Sequence, residues 1–175
     1  MDTFERILSK FDVRDFSNEQ IPNDQKRKVL EAARATGTGL NTQHWRFVLV
    51  QTKARLELLS ADSTSGQWVS RANFAIIVLT NPKHRFHALD AGRVIQNMQL
   101  AAWNDGITSG IFTGVNEAKL RADFNIPPEL HPTAVIGFGY PLSKSRTLGP
   151  KAKKNRLSLE EIAFADKYGI PISIT

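Results

Sequence analysis

Apolar positions recur along this chain with two periods, and the switches between them mark out its elements. Residues 3–9 suit a short helix, broken before an extended Val13-Arg14-Asp15-Phe16. Pro22-Asn23-Asp24 is a helix entry. Over residues 25–35 Val29, Leu30, Ala32 and Ala33 interleave with Lys26, Arg27, Glu31 and Arg34 at helical spacing. Gly37 and Gly39 are expected to end that helix. Phe47-Val48-Leu49-Val50 reads as a buried strand, residues 53–59 as a second helix and residues 61–68 as a loop. The clearest strand is Phe74-Ala75-Ile76-Ile77-Val78-Leu79-Thr80, closed by Asn81-Pro82.

The longest helix is expected over residues 87–104. Leu89, Val94, Ile95, Met98, Leu100, Ala101 and Ala102 lie around most of its circumference, which predicts burial on several sides, one of them against a partner subunit. An extended segment at 107–112, a short helix at 116–124 and a core strand at 133–140 follow. Residues 141–156 read as a long polar loop. Ser158 and Glu161 form the pattern of a capping box, and 170–175 is a β-prone tail. Helices alternate with strands without repeats, so the class is mixed α and β around one sheet.

With 175 residues the chain fits a single domain, 1–175, and 41% hydrophobic residues suffice for a core. No stretch has the length of a membrane span, and Met1-Asp2-Thr3-Phe4-Glu5 does not open a secretory signal, so a cytoplasmic location is expected. Cysteine is absent, which excludes thiolate metal sites, iron–sulfur clusters and cysteine nucleophiles. Redox chemistry would need a bound organic cofactor or a non-thiolate metal. The net charge is +6, but Lys151, Lys153, Lys154 and Arg156 supply four of those charges in one run. Such local basicity favours one anionic site over a nucleic-acid footprint.

Three segments carry candidate chemistry: Lys10-Phe11-Asp12-Val13-Arg14, the run from Gly37 to Phe47, and Lys153-Lys154-Asn155-Arg156. The middle one lets backbone approach a ligand and sets the amides of Asn41 and Gln43 two positions apart. The outer two place cations at opposite ends of the chain. A phosphate at one end and an imide-like ring at the other is what flavin mononucleotide presents.

From about residue 3 to residue 169 the chain resembles the nitroreductase family of FMN-dependent oxidoreductases. The family's Arg-Arg-Ser-Val-Arg-x-Phe opening is matched by Lys10-Phe11-Asp12-Val13-Arg14-Asp15-Phe16, and its second motif by Thr36 to Phe47. Thr113-Gly114, Gly139-Tyr140-Pro141 and Lys154-Asn155-Arg156 match three later motifs in order. The resemblance implies an α+β fold, a central mainly antiparallel sheet flanked by helices, in an intertwined homodimer with FMN at its interface. Lys10, Lys154 and Arg156 would hold the phosphate, a dianion that three cations suit well. Phe11 and Asp12 would border the ribityl–phosphate end. Thr38, Gly39 and Asn41, all from the other subunit, and Gln43 would border the ring system or fix the loop that does. The backbone at Thr113 or Gly114 would face flavin N5, and Arg14 the N1–C2=O edge, where a cation stabilises charge that appears on reduction.

Activity is then expected as transfer of hydride from NADH or NADPH, through the flavin, to a nitroaromatic, quinone or similar small-molecule acceptor by a ping-pong scheme. No protein nucleophile, metal, membrane or nucleic acid is involved. Two alternatives are a non-catalytic FMN-binding or sequestering protein and an oxygen-dependent flavin-modifying enzyme. Phe11, Asp12 and His44 depart from the family pattern. A carboxylate about 6 Å from a phosphate charge costs roughly 3 kcal/mol per charge pair at an effective dielectric near 20. Asp12 is therefore expected to turn toward ribityl hydroxyls or to pair with Lys10 or Arg14. Trp45 and Phe47 are expected in the core, and His44 at an interface or facing substrate. His84 and His87 are not expected to bind metal.

Overall fold

One strand, Phe74–Thr80, is buried at all seven residues, and the architecture follows from it. In the computed structural model, which describes residues 2–143 and 156–173, this strand is β2 of a four-stranded antiparallel sheet. The strands are β1 (Arg46–Val50), β2, β3 (Thr108–Phe112) and β4 (His131–Gly139), in spatial order β1-β2-β4-β3. Helices are α1 (Thr3–Ser9), α2 (Asn23–Arg34), α3 (Lys53–Ala61), α4 (His87–Asn104), α5 (Glu117–Asp123) and α6 (Leu159–Ile162). The expected α+β class with a helix-flanked antiparallel sheet is the one observed.

Both faces of the sheet are covered, which is why β2 shows no polar alternation. Phe74, Ile76 and Val78 face Val29 and Ala33 of α2 and Val94, Met98 and Ala102 of α4. Ala75, Ile77 and Leu79 face Leu56 and Leu59 of α3 and Leu120 of α5. Each large side chain buried this way contributes about 1.5–3 kcal/mol. Phe74 and Phe138 stack at 4.7 Å between ring centres across β2 and β4.

Local signals set most boundaries. Asp2 accepts from the Glu5 amide at 2.8 Å while Glu5 accepts from the Asp2 amide at 2.9 Å, closing a capping box on α1. Ser158 and Glu161 do the same for α6, as expected. Two expectations need correction. Helix α2 ends at Arg34, before Gly37 and Gly39, and neither glycine adopts a left-handed conformation. Gly39 is required for space instead, because a Cβ there would overlap the Phe86 ring. The second correction concerns 61–68, where the last helical residue of α3 and a 3-10 turn over Gln67–Arg71 flank a shorter loop.

The outer edge of β3 is where the first candidate segment lies. Asp12 bridges Ser109 in parallel sense, and the Val13 amide donates to the Ser109 carbonyl at 2.8 Å. Gly110 accommodates this approach: a Cβ there would stand 2.8 Å from the Val13 carbonyl and 2.9 Å from the Trp68 ring. Phe16 bridges Pro141, so residues 12–16 tie β3 to the end of β4.

Candidate functional site

Residues 11–15 and 141–143 line a cleft of about 730 Å³ beside β3. Next to Phe11 and Asp12 of that lining, Lys10 Nζ donates to Asp12 Oδ1 at 2.6 Å and to Gln99 Oε1 at 3.1 Å. Gln99 is itself buried on α4 and donates through Nε2 to Ser109 Oγ at 3.1 Å. The ammonium is therefore held from the helix and from its own segment, and the strand edge holds Gln99 in turn. Of the three orientations open to Asp12 in the sequence, the structure has the Lys10 pair.

Arg14 lines the same cleft and lies over Trp68, its guanidinium carbon 5.9 Å from the ring centre. It makes no ion pair among the described residues, whereas neighbouring Asp15 bonds Arg71 at 3.0 Å. Phe11 meets Trp103 edge-on at 5.2 Å, which explains an aromatic side chain at that position by packing. Thr113 and Gly114 follow β3 directly. The Gly114 carbonyl accepts from the Thr64 amide at 2.8 Å. A Cβ on Gly114 would stand 2.5 Å from the hydroxyls of both Thr64 and Ser65, so a larger residue would require both to turn away.

A second cluster gathers Thr38, Gly39, Asn41 and Gln43. Leu40, Asn41 and Gln43 have φ of 56°, 54° and 45°, an uncommon conformation for residues with side chains. Backbone of this kind persists when its surroundings over-determine it. Here Asp90 of α4 does so: its carboxylate accepts from the Gly39 amide at 3.0 and 3.2 Å and lies 3.3 Å from His44 Nε2 and from Arg93 Nη1. Thr38 Oγ1 accepts from the Gln43 amide at 3.0 Å. His44 is buried and stacks on His84 at 5.0 Å, so it is an anchor of the loop and faces neither an interface nor a substrate in this chain. Leu40 projects from the loop, 89% exposed.

The two clusters sit on opposite margins of α4. Gln99 fixes one and Asp90 the other; nine residues correspond to about 13–14 Å of rise and to about two and a half turns, which leaves the two on opposite sides of the helix. Between those margins runs the one exposed face of α4, with Ala88, Leu89, Gly92, Arg93, Gln96 and Asn97. That face is mixed: Arg93, Gln96 and Asn97 stand beside Ala88, Gly92 and Leu89, and Leu89 is 63% exposed.

Of the remaining expected site residues, Arg156 is exposed and Lys154 lies outside the described residues. Trp45 is buried and Phe47 packs against the core, as expected. His87 Nδ1 is 3.1 Å from Thr80 Oγ1, and no group of metal ligands occurs among the described residues. Asp90, Gln99 and Ser109 are absent from the sequence-derived set. Their only signal is a polar residue at a buried position, legible once neighbours are known.

Beside Gly114 lies one perturbed acid. Asp62 is buried, and its carbonyl accepts from the Asn116 amide at 2.7 Å. Burial, then the charge and hydrogen bonding of Asp123, push the Asp62 carboxyl above the usual carboxylate range, with Lys119 opposing.

Comparison with known proteins identifies the family and the fold. The model of the nitroreductase family matches residues 7–76 and 60–140. A protein of Archaeoglobus fulgidus, whose name proposes an NADH dehydrogenase/NAD(P)H nitroreductase, is 30% identical over 144 residues, 77% of this chain and 83% of that protein. A crystal structure of a nitroreductase family protein from Clostridium difficile superposes with TM-score 0.85 at 24% identity, covering 95% of this chain and 99% of that one. A structure described as an FMN-dependent nitroreductase, from another strain of that species, superposes with TM-score 0.84 at 17% identity over 95% and 100%.

Proposed function

This chain belongs to the nitroreductase family, and from that premise we propose that it is an FMN-dependent oxidoreductase using NADH or NADPH. The observation that carries the reading is the gathering of Lys10, Asp12 and Arg14 along the β3 edge that leads to Thr113 and Gly114.

The donor set fits FMN in kind. An ammonium and a guanidinium beside one cleft suit an anionic tail and an electron-rich ring edge. Glycines at 110 and 114 remove side chains where strand and neighbour approach. Lys10 and, from the far end of the chain, Arg156 and Lys154 would hold the phosphate. Phe11 and Asp12 would border the ribityl end, Arg14 would lie by the N1–C2=O edge, and Thr113 and Gly114 by N5. When bound, FMN would supply hydride acceptance at N5 from NAD(P)H and delivery to a nitroaromatic, quinone or similar acceptor in alternating half-reactions. The protein's part is to bind and orient. A fixed cation at position 14 favours the more negative form of its ligand.

Completion of the site calls for a second copy. Thr38, Gly39, Asn41 and Gln43 cannot reach the ligand held by Lys10 of the same chain if α4 stands between them. A partner's α4 packed on the exposed face would bring its own loop alongside, since a two-fold interface exchanges the same pair of surfaces. Gly92 supports this reading: a glycine inside a helix costs about 1 kcal/mol against alanine, and no atom lies within 4 Å of a Cβ placed there. Close approach of another surface accounts for it.

The test is a visible spectrum of the purified protein followed by anaerobic addition of NADH or NADPH. A flavin spectrum that bleaches supports the reading. Colour that persists after both nucleotides would identify a non-catalytic flavin binder, and a protein that takes up no FMN would refute both.

A further inference from the structure

The pair formed by Lys10 and Asp12 bears on which flavin the cleft prefers. Lys10, next to Phe11 in sequence, has its side chain only 13% exposed, and two of its three N–H donors are taken by Asp12 and Gln99. Gln99 is in turn fixed by Ser109, so the ammonium cannot follow an incoming ligand without breaking a buried network. The Asp12 carboxylate, 36% exposed, faces the cleft and presents negative charge where an anion would approach. Asp15 adds no free charge, since Arg71 neutralises it at 3.0 Å. Arg14 keeps its charge but lies over Trp68.

We propose that Asp12 is a counter-anion built into this end of the site, which occupies Lys10 and narrows the site's preference for phosphorylated over unphosphorylated flavin. The proposal rests on the reading of the cleft as an FMN site. At Lys10 a dianionic phosphate gains one cation and meets one carboxylate, which largely offset each other and leave Arg156 and Lys154 to hold the tail. Riboflavin, which has no phosphate, is indifferent to both. Asp12 is thus a specificity-determining residue: it leaves flavin binding to the ring and ribityl contacts and weakens the contribution of the tail.

The experiment titrates FMN and riboflavin, in parallel, with the flavin-free full chain and reads flavin fluorescence. Asp12→Asn keeps the shape and removes the charge. It is expected to tighten FMN at least tenfold, about 1.4 kcal/mol, while riboflavin changes less than about twofold. Asp12→Ser should act in the same direction. Lys10→Met should weaken FMN in both the parent chain and the Asp12→Asn background while leaving riboflavin little changed, a charge-selective pattern that a merely structural role would not produce. Unchanged or weakened FMN binding in Asp12→Asn, with the parent chain binding FMN normally, overturns the proposal and leaves the FMN reading standing. Equal tightening of both flavins also overturns it. A parent chain that binds neither flavin removes the FMN reading and the proposal with it.

Discussion

His44 Nε2 lies 3.3 Å from the Asp90 carboxylate, with the two side chains 0% and 1% exposed. The same carboxylate holds the Gly39 amide and is approached by Arg93. One buried acid on α4 therefore fixes the start and the end of the strained loop before β1. The loop residues proposed to meet the flavin inherit their positions from it.

Asp90→Ala should unfold the loop locally and destabilise the chain. It leaves the Gly39 amide and the His44 ring without their shared partner, at about 1–3 kcal/mol per orphaned buried group. The expected loss is about 3 kcal/mol, read by urea denaturation. A loss under about 1 kcal/mol would show that the loop is held from elsewhere.

Gly92→Glu tests the pairing of two chains. Within one chain the new side chain enters open space, so the isolated fold should keep its circular dichroism. At the proposed α4–α4 contact it buries two like charges. Size-exclusion chromatography should report a monomer, and bound flavin should fall with it. A variant that stays dimeric and yellow would place the interface on another surface.

Arg14→Gln removes the cation proposed to face the reduced flavin. The potential of the bound flavin should fall by about 30 mV or more, equivalent to roughly 1.4 kcal/mol for a two-electron couple. Equilibration with reference dyes measures it. Retention of the parent potential would move Arg14 from the ring edge to simple packing on Trp68.

Asp62 makes one contribution to stability that is larger at acidic pH. Its folded pKa is raised by burial and by Asp123, so its contribution to stability is fully present below the unfolded value and is lost as pH rises through the folded one. Asp62→Asn should therefore match the parent at acidic pH and exceed it at neutral pH, each kcal/mol recovered showing as roughly 2–4 °C in Tm. Scanning calorimetry at two pH values decides it. An Asn variant less stable than the parent at neutral pH would mean the carboxylate makes a favourable contact that offsets its burial.

The elements of this protein are legible in its residues wherever local chemistry sets them. β2 over Phe74–Thr80 and α4 over His87–Asn104 match the expected bounds because an unbroken apolar run and a helical repeat each admit one conformation. The order of the motifs along the chain likewise marked Lys10, Arg14, Thr113 and Gly114, which the fold brings to one strand edge. Pairing across long separations was not legible. Nothing near residue 10 says that its ammonium will bond Gln99, and nothing near residue 44 that its imidazole will bond Asp90. Those partners are chosen by which turn of α4 packs against which segment, and the end of α2 and the strained backbone at Leu40, Asn41 and Gln43 follow from the same packing. Short-range periodicity writes the elements into the chain, while burial of polar groups is satisfied only when distant segments meet.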